Sequence, residues 1–529
     1  MKHISKRLAA LLTASVLLFG CTEKIESAPP EETDPAVTTT ETTTKSPFQV
    51  ELPEINQEEA QLYTEAENSR LFGNLRVSTK RKGYTGNGYV TGFDKDESNQ
   101  IMVNFFVTAT QHYDITLCVA ADKDVHNGIV VNSVSAGEFD LEGTGKFIRV
   151  TFHNIFLSEG TNTVSINEID GGLDLDYIEL SNATEVYSIS YDVSAKPVNS
   201  KATPNTKALM KTLSDLYGEA VITGQFAADE TNQELELIHT LTGQYPAIRC
   251  GDLGAYADDK QKDVAEVEAA IAWAGAGGIV SFMWYWLDPL NHSTVYAKNT
   301  EFSLKKAMTD TDIAELSLTE LEALCEEGEI SDECLAIVRD IDIISAQLSR
   351  LNEADIPVLW RPLHEAGGGW YWWGGDGAEA YQWLWELLYN RMTHYHKLNN
   401  LLWVWNGQSE AYAVDSKMYD IASIDVYLAA GEEYGSRSGQ FQWLYTLTGG
   451  KKLIALSECS GVPDVDALYR DNAVWSFFGL WYGNYIMNSD GSFSDSYTSE
   501  ELLKKVYNSD GSVNLSDYVE ICKKRLAND

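Results

Sequence analysis

Proton transfer needs ionisable side chains held where a regular element stops, and one stretch of this 529-residue chain offers them. Residues 358–375 read VLWRPLHEAGGGWYWWGG: an apolar run, then Arg361, His364 and Glu365, then a glycine run, then Trp370, Tyr371, Trp372 and Trp373. A glutamate just past a strand is placed to give or take a proton at the mouth of a sheet or barrel. The aromatics that follow offer flat surfaces for a sugar ring or another planar apolar face. A buried Glu365–Arg361 ion pair under an aromatic core is the competing reading. Function is preferred over it because carboxylates are uncommon in cores.

The elements that must position this cluster lie on both sides of it. Eight strand-like runs, at 220–225, 247–252, 278–284, 357–361, 401–406, 421–427, 452–458 and 476–482, alternate with amphipathic stretches. Leu335, Val338, Ile341, Ile344 and Leu348 recur at helical spacing, for example. This alternation predicts an α/β fold, a (β/α)8 TIM barrel over residues 205–529. A doubly wound open sheet is the runner-up, although no glycine-rich phosphate fingerprint follows the first strand. In a barrel Glu365 follows the fourth strand and Glu458 ends the seventh, so both face the C-terminal mouth. Two carboxylates are the minimum equipment for cleaving a glycosidic bond. Arg361 could keep a neighbouring carboxylate ionised or form a purely structural pair. Trp284, Tyr285, Trp286, Trp403, Trp405, Tyr427, Trp481 and Tyr482 fall near strand ends, and a few of them are expected to touch a ligand.

Composition narrows the partners. The chain carries 79 acidic against 39 basic residues, a formal charge of −40. It would be repelled by nucleic acid and favours a neutral or cationic substrate. Residues 1–21 have the form of a lipoprotein-type export signal: Lys2, Lys6 and Arg7, a short apolar core, and a lipobox-like Leu18-Phe19-Gly20-Cys21. Phe19 is larger than that position usually carries. The expectation is a protein at the bacterial cell surface, meeting the membrane only through a lipid on Cys21, and monomeric. Residues 22–49 are rich in Thr, Pro and Glu and read as a disordered tether. Cys118, Cys250, Cys325, Cys334, Cys459 and Cys522 show no CxxC spacing. Cys325 and Cys334 are the one close pair that could form a disulfide, and free thiols are the alternative.

Residues 50–185 change character, with short alternating runs separated by Gly, Asn and Asp, as in an antiparallel β-sandwich. Glu65-Ala66-Glu67-Asn68, the run GYTGNGYV at 83–90 and LDYIEL at 175–180 together resemble carbohydrate-binding modules of family 35 and the related family 6. That resemblance implies a structural Ca²⁺ held by Glu65, Glu67 and Asp176, oxygen ligands suited to a hard cation. Three surface acids in an acidic protein are the plainer reading. All 14 tryptophans lie between Trp273 and Trp481, so any sugar-stacking face here must be built from Tyr or Phe. A connector, residues 186–204, leads into the second domain.

RPLHE with the following Gly-Gly-Trp-Tyr-Trp-Trp, LWVWN at 402–406 and IALSE at 454–458 resemble glycoside hydrolase family 26. So do DIDIISAQL at 340–348, PAI at 246–248 with Asp252, and GIVSF at 278–282. The resemblance covers about residues 205 to 525. It implies an endo-β-1,4-mannanase that retains anomeric configuration and needs no cofactor for catalysis, acting on a β-mannan type polysaccharide. A few members cleave mixed-linkage β-glucan or xylan instead. It also implies that Glu365 is the acid/base and Glu458 the nucleophile, with His364, Trp370, Tyr427 and Trp481 binding sugar. Arg361, Trp284 and Tyr285 complete the expected substrate-binding set. Tyr285 stands where many relatives have histidine, a departure that bears on one subsite. A glycan-binding protein on an inactive barrel is the remaining alternative, disfavoured because both carboxylates are present.

Overall fold

Alternation decides the first domain. Along Gln100–Val107, Ile101, Val103, Phe105 and Val107 are buried while Gln100, Asn104 and Phe106 face out, the period-two pattern of a half-buried strand. The computed structural model describes residues 62–527 apart from 95–98, 110, 133, 158–159, 184–188 and 259–263. The export signal with Cys21 and the 22–49 tether lie outside the described residues. Two antiparallel sheets, of six and five strands, pack face to face over a core that includes Val90, Val103, Phe105, Leu117, Ile129 and Ile178. This is the expected sandwich.

The connector is fastened down rather than free. The Tyr191 ring meets Tyr217 edge-on at 4.8 Å and its hydroxyl accepts from Val474 N, while Val198 N donates to the Asp420 carboxylate at 2.7 Å. The helix Ser438–Leu447 of the second domain packs on the module strands Val134–Leu141 and Ile148–Leu157.

The second domain is a closed barrel of eight parallel strands. They are β1 (Gly224–Phe226), β2 (Ile248–Asp252), β3 (Ile279–Met283), β4 (Val358–Arg361), β5 (Leu401–Trp405), β6 (Ile421–Val426), β7 (Leu453–Cys459) and β8 (Phe478–Leu480). Each falls within or beside an expected run. The first run splits: Val221–Ile222 pairs in parallel with Ser512–Val513, outside the barrel, and β1 begins only at Gly224. At Gly224 the chain passes so close to β8 that a Cβ would lie 2.4 Å from the Phe478 carbonyl oxygen, so glycine is what permits the crossing. The long helix Asp332–Glu353 starts at Ser331, whose hydroxyl accepts from Cys334 N, and buries Leu335, Val338, Ile341, Ile344 and Leu348 as their spacing requires.

Cys325 and Cys334 are free thiols, and the Cys325 thiol donates to Asp332 instead. The disulfide that their spacing allows is not made.

Candidate active site

β4 ends at Arg361, and the chain then turns through left-handed backbone at Leu363 and Glu365 (φ 53° and 54°). Neither residue type favours that conformation, and such strain is retained where the surroundings over-determine it. Here they do: the Glu365 amide donates to both the backbone and side-chain oxygens of Asn406, at the end of β5, at 2.8 and 2.9 Å. Gly367 N donates to the Gly407 carbonyl, lacing the β4 loop to the β5 loop. Gly368 leaves the space that the Trp370 ring occupies.

β7 delivers the second carboxylate by an irregularity. Ile424 of β6 pairs with Leu456, but Asp425 pairs with Glu458, so Ser457 is an extra residue in the ladder. A bulge re-aims side chains that strict alternation would send to opposite faces. Ser457 Oγ donates to Asp425 Oδ1 at 2.7 Å, and Glu458 still reaches the mouth of the barrel.

The two glutamates meet a third acid. Carboxylate oxygens of Glu365, Asp425 and Glu458 all lie within 4.8 Å of one another, the only three-acid group so gathered among the described residues. Arg361 answers their charge. Its guanidinium donates to Asp425 Oδ2 at 2.8 Å and also to Glu458 Oε1. Asn406 donates to Asp425 Oδ1, Ser423 Oγ and Ser457 Oγ, and the Tyr427 hydroxyl donates to Glu458 Oε2 at 2.6 Å. Arg361, Asn406 and Asp425 each hydrogen-bond two or more neighbours, which fixes Asp425 and Glu458 in place.

The environment pushes the two glutamates apart in proton affinity. Burial, then the charges of Asp425 and Glu458, raise the Glu365 carboxyl to about 8. Burial and Asp425 also raise Glu458, to about 7, but Arg361 and Tyr427 hydrogen-bond its ionised form and pull it back. Glu458 is the first to lose its proton and Glu365 the one to keep it. Burial beside Arg361 holds His364 well below its ordinary value, as a neutral imidazole whose Nδ1 has no partner in the fold.

These groups open onto a cleft of about 960 Å³. His364, Glu365, Glu458, Tyr285, Tyr427 and Trp481 line it together with Asp252, Tyr371, Tyr482 and Tyr485. Asp252 accepts from the amides of Tyr285 and Gly254, pinning the loop that carries Tyr285. The Tyr285 ring stacks with His364 at 5.9 Å. Trp370 stands 47% exposed, its ring 6.1 Å from that of the cleft-lining Tyr371 and not itself in the cleft wall.

Two expected substrate contacts lie elsewhere. Trp284 is buried, stacked on Trp286 at 3.7 Å and packed near Trp360, because the chain leaving β3 sends it into the core and only Tyr285 into the cleft. Arg361 lies beneath the carboxylates rather than on the cleft surface, so it acts through Asp425 and Glu458. Trp286, Trp403 and Trp405 are also core: Trp403 meets Trp385 and Tyr389 of the helix layer, the outward side of β5. Trp284→Ala should therefore cost about 3–5 kcal/mol in urea unfolding with little change in KM, whereas Trp481→Ala should raise KM about tenfold or more at near-native stability. Equal effects of the two on KM would contradict this placement.

Asp425 is the functional residue that the sequence reading missed. Its signal was there: Ser423, Asp425 and Tyr427 are polar at every second position of an otherwise apolar strand, one inward-facing row.

In the module, Glu65, Glu67 and Asp176 converge on the loop from Thr85 to Asn87. Thr85 donates to Asp176 and Glu65, and Asn87 N donates to Glu67 at 2.7 Å. Asp176 is fully buried, and the second oxygen of Glu67 is buried without a partner. This donor set fits a hard cation, although it is spread more widely than the acids of the barrel.

Comparison with known proteins agrees with both halves. The model of glycosyl hydrolase family 26 matches residues 198–514, and that of carbohydrate binding module (family 35) matches residues 62–183. A mannan endo-1,4-beta-mannosidase of Thermothelomyces thermophilus is 34% identical over 462 residues, 84% of this chain and 88% of its own. Mannan endo-1,4-beta-mannosidase B of Piromyces sp is 30% identical over 466 residues, 84% of this chain and 75% of its own. Among solved structures, a Podospora anserina GH26-CBM35 beta-(1,4)-mannanase aligns with a TM-score of 0.55 at 32% identity, covering 86% of this chain and 98% of that one. A ruminal GH26 endo-beta-1,4-mannanase gives 0.58 at 25%, covering 88% and 99%. The barrel, its paired glutamates and the family match over most of the second domain lead to one conclusion: this chain belongs to glycosyl hydrolase family 26.

Proposed function

We propose that the chain is an exported endo-β-1,4-mannanase that cleaves internal bonds of mannan, glucomannan or galactomannan with retention of configuration. The observation that carries the stereochemistry is the gap between carboxylates. One oxygen of Glu365 lies within 4.8 Å of one oxygen of Glu458, which supports the short separation of retaining enzymes (about 5–5.5 Å) over the wider gap that inverting enzymes leave for water. Glu458, ionised and held by Arg361 and Tyr427, attacks the anomeric carbon while Glu365 gives its proton to the leaving glycosidic oxygen. The glycosyl ester that forms removes the negative charge of Glu458. One of the negative charges that raised Glu365 thereby disappears, and Glu365 is ready to take a proton from the incoming water. The names of the relatives support mannan as the polymer, and the neutral charge of mannan suits an acidic cleft.

Reducing-sugar release from galactomannan, glucomannan, lichenan and xylan tests the substrate: the two mannans should be cleaved and the others far more slowly. Proton NMR of the first product should show the β-anomer, and an initial α-anomer would rule out retention.

The module serves as the sugar-binding partner of the barrel, and Glu65, Glu67 and Asp176 would hold a Ca²⁺ that stiffens the Thr85–Asn87 loop. Chelation by EDTA should lower the melting temperature of the module by several degrees while leaving kcat on a soluble oligosaccharide unchanged. An unchanged melting curve would argue against the ion. Export, a lipid on Cys21 and a monomeric state complete the reading. Metabolic labelling with palmitate, lost in Cys21→Ser, is the check on the anchor.

A further inference from the structure

Much of the cleft wall lies away from the catalytic pair. Ala228, Asp229 and Glu230 follow β1, and Gly254, Ala255 and Glu266 follow β2. Together they line an arm of the cleft that no step of the mechanism uses. Glu365 follows β4 and Glu458 lies on β7, so a polymer cleaved between them must leave the mouth in two directions. The loop that carries Glu365 is laced to the β5 loop through Asn406 and Gly407, and the leaving half of the chain departs on that side. The arm over β1 and β2 therefore receives the other half, the sugars on the glycone side.

Both walls of this arm are tied to one buried side chain behind them. Arg249, in β2, is fully buried. Its Nε donates to Asn232 Oδ1 at 2.6 Å and its guanidinium to the Asp229 carbonyl at 3.2 Å, which holds the β1 loop. The same fork donates to both oxygens of Glu266, in the first turn of the helix Glu266–Gly275 that follows the β2 loop. Gly251 permits the reach, since a Cβ there would lie 1.9 Å from Glu266 Oε1. Asn232 stands at the N-cap position of the helix Gln233–Thr242 in left-handed backbone (φ 58°), yet its side chain makes no cap. Asn is favoured at such a position for its bond to the first helix amides. Here its oxygen goes to Arg249 instead. A structural ion pair would need Glu266 alone. The bonds to Asn232 and to the Asp229 carbonyl are what connect the β1 wall to the β2 wall, through a planar fork that fixes direction as well as charge.

We propose that Arg249 is a positioning residue for the reaction: from behind the cleft it sets the spacing between the loops after β1 and β2, and with it the grip on glycone sugars beyond the one being cleaved. It touches no substrate and acts through Asp229 and Glu266. The identity of those sugars rests on the mannanase reading; the role of Arg249 rests on the geometry. Binding energy from remote sugars is spent at the reacting centre, so it shows as a gain in kcat/KM with chain length.

The 2,4-dinitrophenyl β-glycosides of mannose and mannotriose, assayed on the full chain beside those of glucose and cellotriose, measure that gain. In the wild type kcat/KM should rise about tenfold or more from monoside to trioside. Arg249→Lys keeps a charge beside Glu266 but loses the fork, and should cut the trioside-to-monoside ratio about tenfold. Asn232→Gly keeps the left-handed backbone and removes only the tie to Arg249, and should cut the ratio about threefold. A purely structural role would lower both glycosides in proportion. A ratio unchanged in both variants, or no gain with length in the wild type, would overturn the proposal. Cleavage of the gluco series and not the manno series would overturn mannan as the substrate instead, and the ratio is then read on the gluco series. Should Arg249→Lys fail to fold, Asn232→Gly, which leaves the buried ion pair whole, decides alone.

Discussion

Glu458→Ala should lower kcat on mannan by about 10⁴-fold or more while leaving KM within a few-fold, because the residue acts on the anomeric carbon and not on ground-state binding. Glu365→Ala should be comparably slow on mannan, yet much less impaired on an aryl glycoside whose leaving group needs no proton. Azide separates the two roles. Added to Glu458→Ala it can take the place of the missing nucleophile and yield the α-glycosyl azide. Added to Glu365→Ala it attacks the glycosyl-enzyme and yields the β-azide. Wild-type kcat in Glu458→Ala, or the same azide anomer from both variants, would dismiss the assignment.

The same pair shapes the pH dependence. On the proposed mechanism activity requires Glu458 ionised and Glu365 protonated, so the rate should rise as the pair loses its first proton and fall as it loses its second. With the Glu365 carboxyl raised to about 8, the alkaline limb should fall near that pH in the profile of kcat/KM. Stability follows the opposite logic to a salt-bridged acid. The folded pKa of Glu365 is raised above its ordinary 4.5, so between about 4.5 and 8 the folded chain holds a proton that the unfolded chain has released. Stability from this group is present below that window and is lost as pH rises through it. Glu365→Gln should therefore raise the melting temperature by about 2 °C or more at pH 8 and by little at pH 4.

Arg361→Met carries the second large effect. Arg361 lies buried between Asp425 and Glu458 and is the only cation that touches either acid among the described residues. Removing it leaves two carboxylates in a low-dielectric site with no counter-charge, which typically costs about 3–5 kcal/mol. The loss should be largest at alkaline pH, where both acids must be ionised, and should shrink at acid pH, where they can take up protons. In activity, the acid limb should move to higher pH, since Glu458 loses the partner that favours its ionised form. Arg361→Lys keeps the charge but not the two-pronged fork, and should recover part of the stability. Urea unfolding at several pH values together with the pH–rate profile measures both effects. An unchanged acid limb in Arg361→Met would show that Glu458 is tuned by something else.

Eight strands, a sandwich before them and the two glutamates at strand ends are all legible in short stretches of the chain. Each of these rests on a local property. The helical recurrence of Leu335, Val338 and Ile341, the alternation of Ile101, Val103 and Phe105, and the glycines after Glu365 can all be read within a few residues. Which side chains share the cleft is settled by packing and strand register instead. Trp284 and Tyr285 are neighbours in sequence with the same aromatic character, yet one is core and the other lines the site, because the backbone leaving β3 sends them to opposite sides. The extra residue at Ser457 aims Glu458 in a way that strict alternation forbids, and it depends on how β7 registers with β6. Asp425 joins the two glutamates through contacts distant in sequence: Arg361, 64 residues away, and Asn406, 19 residues away, both hydrogen-bond it. A side chain's direction is set by register, and a buried charge is set by its partners. Neither is written in the residues next to it.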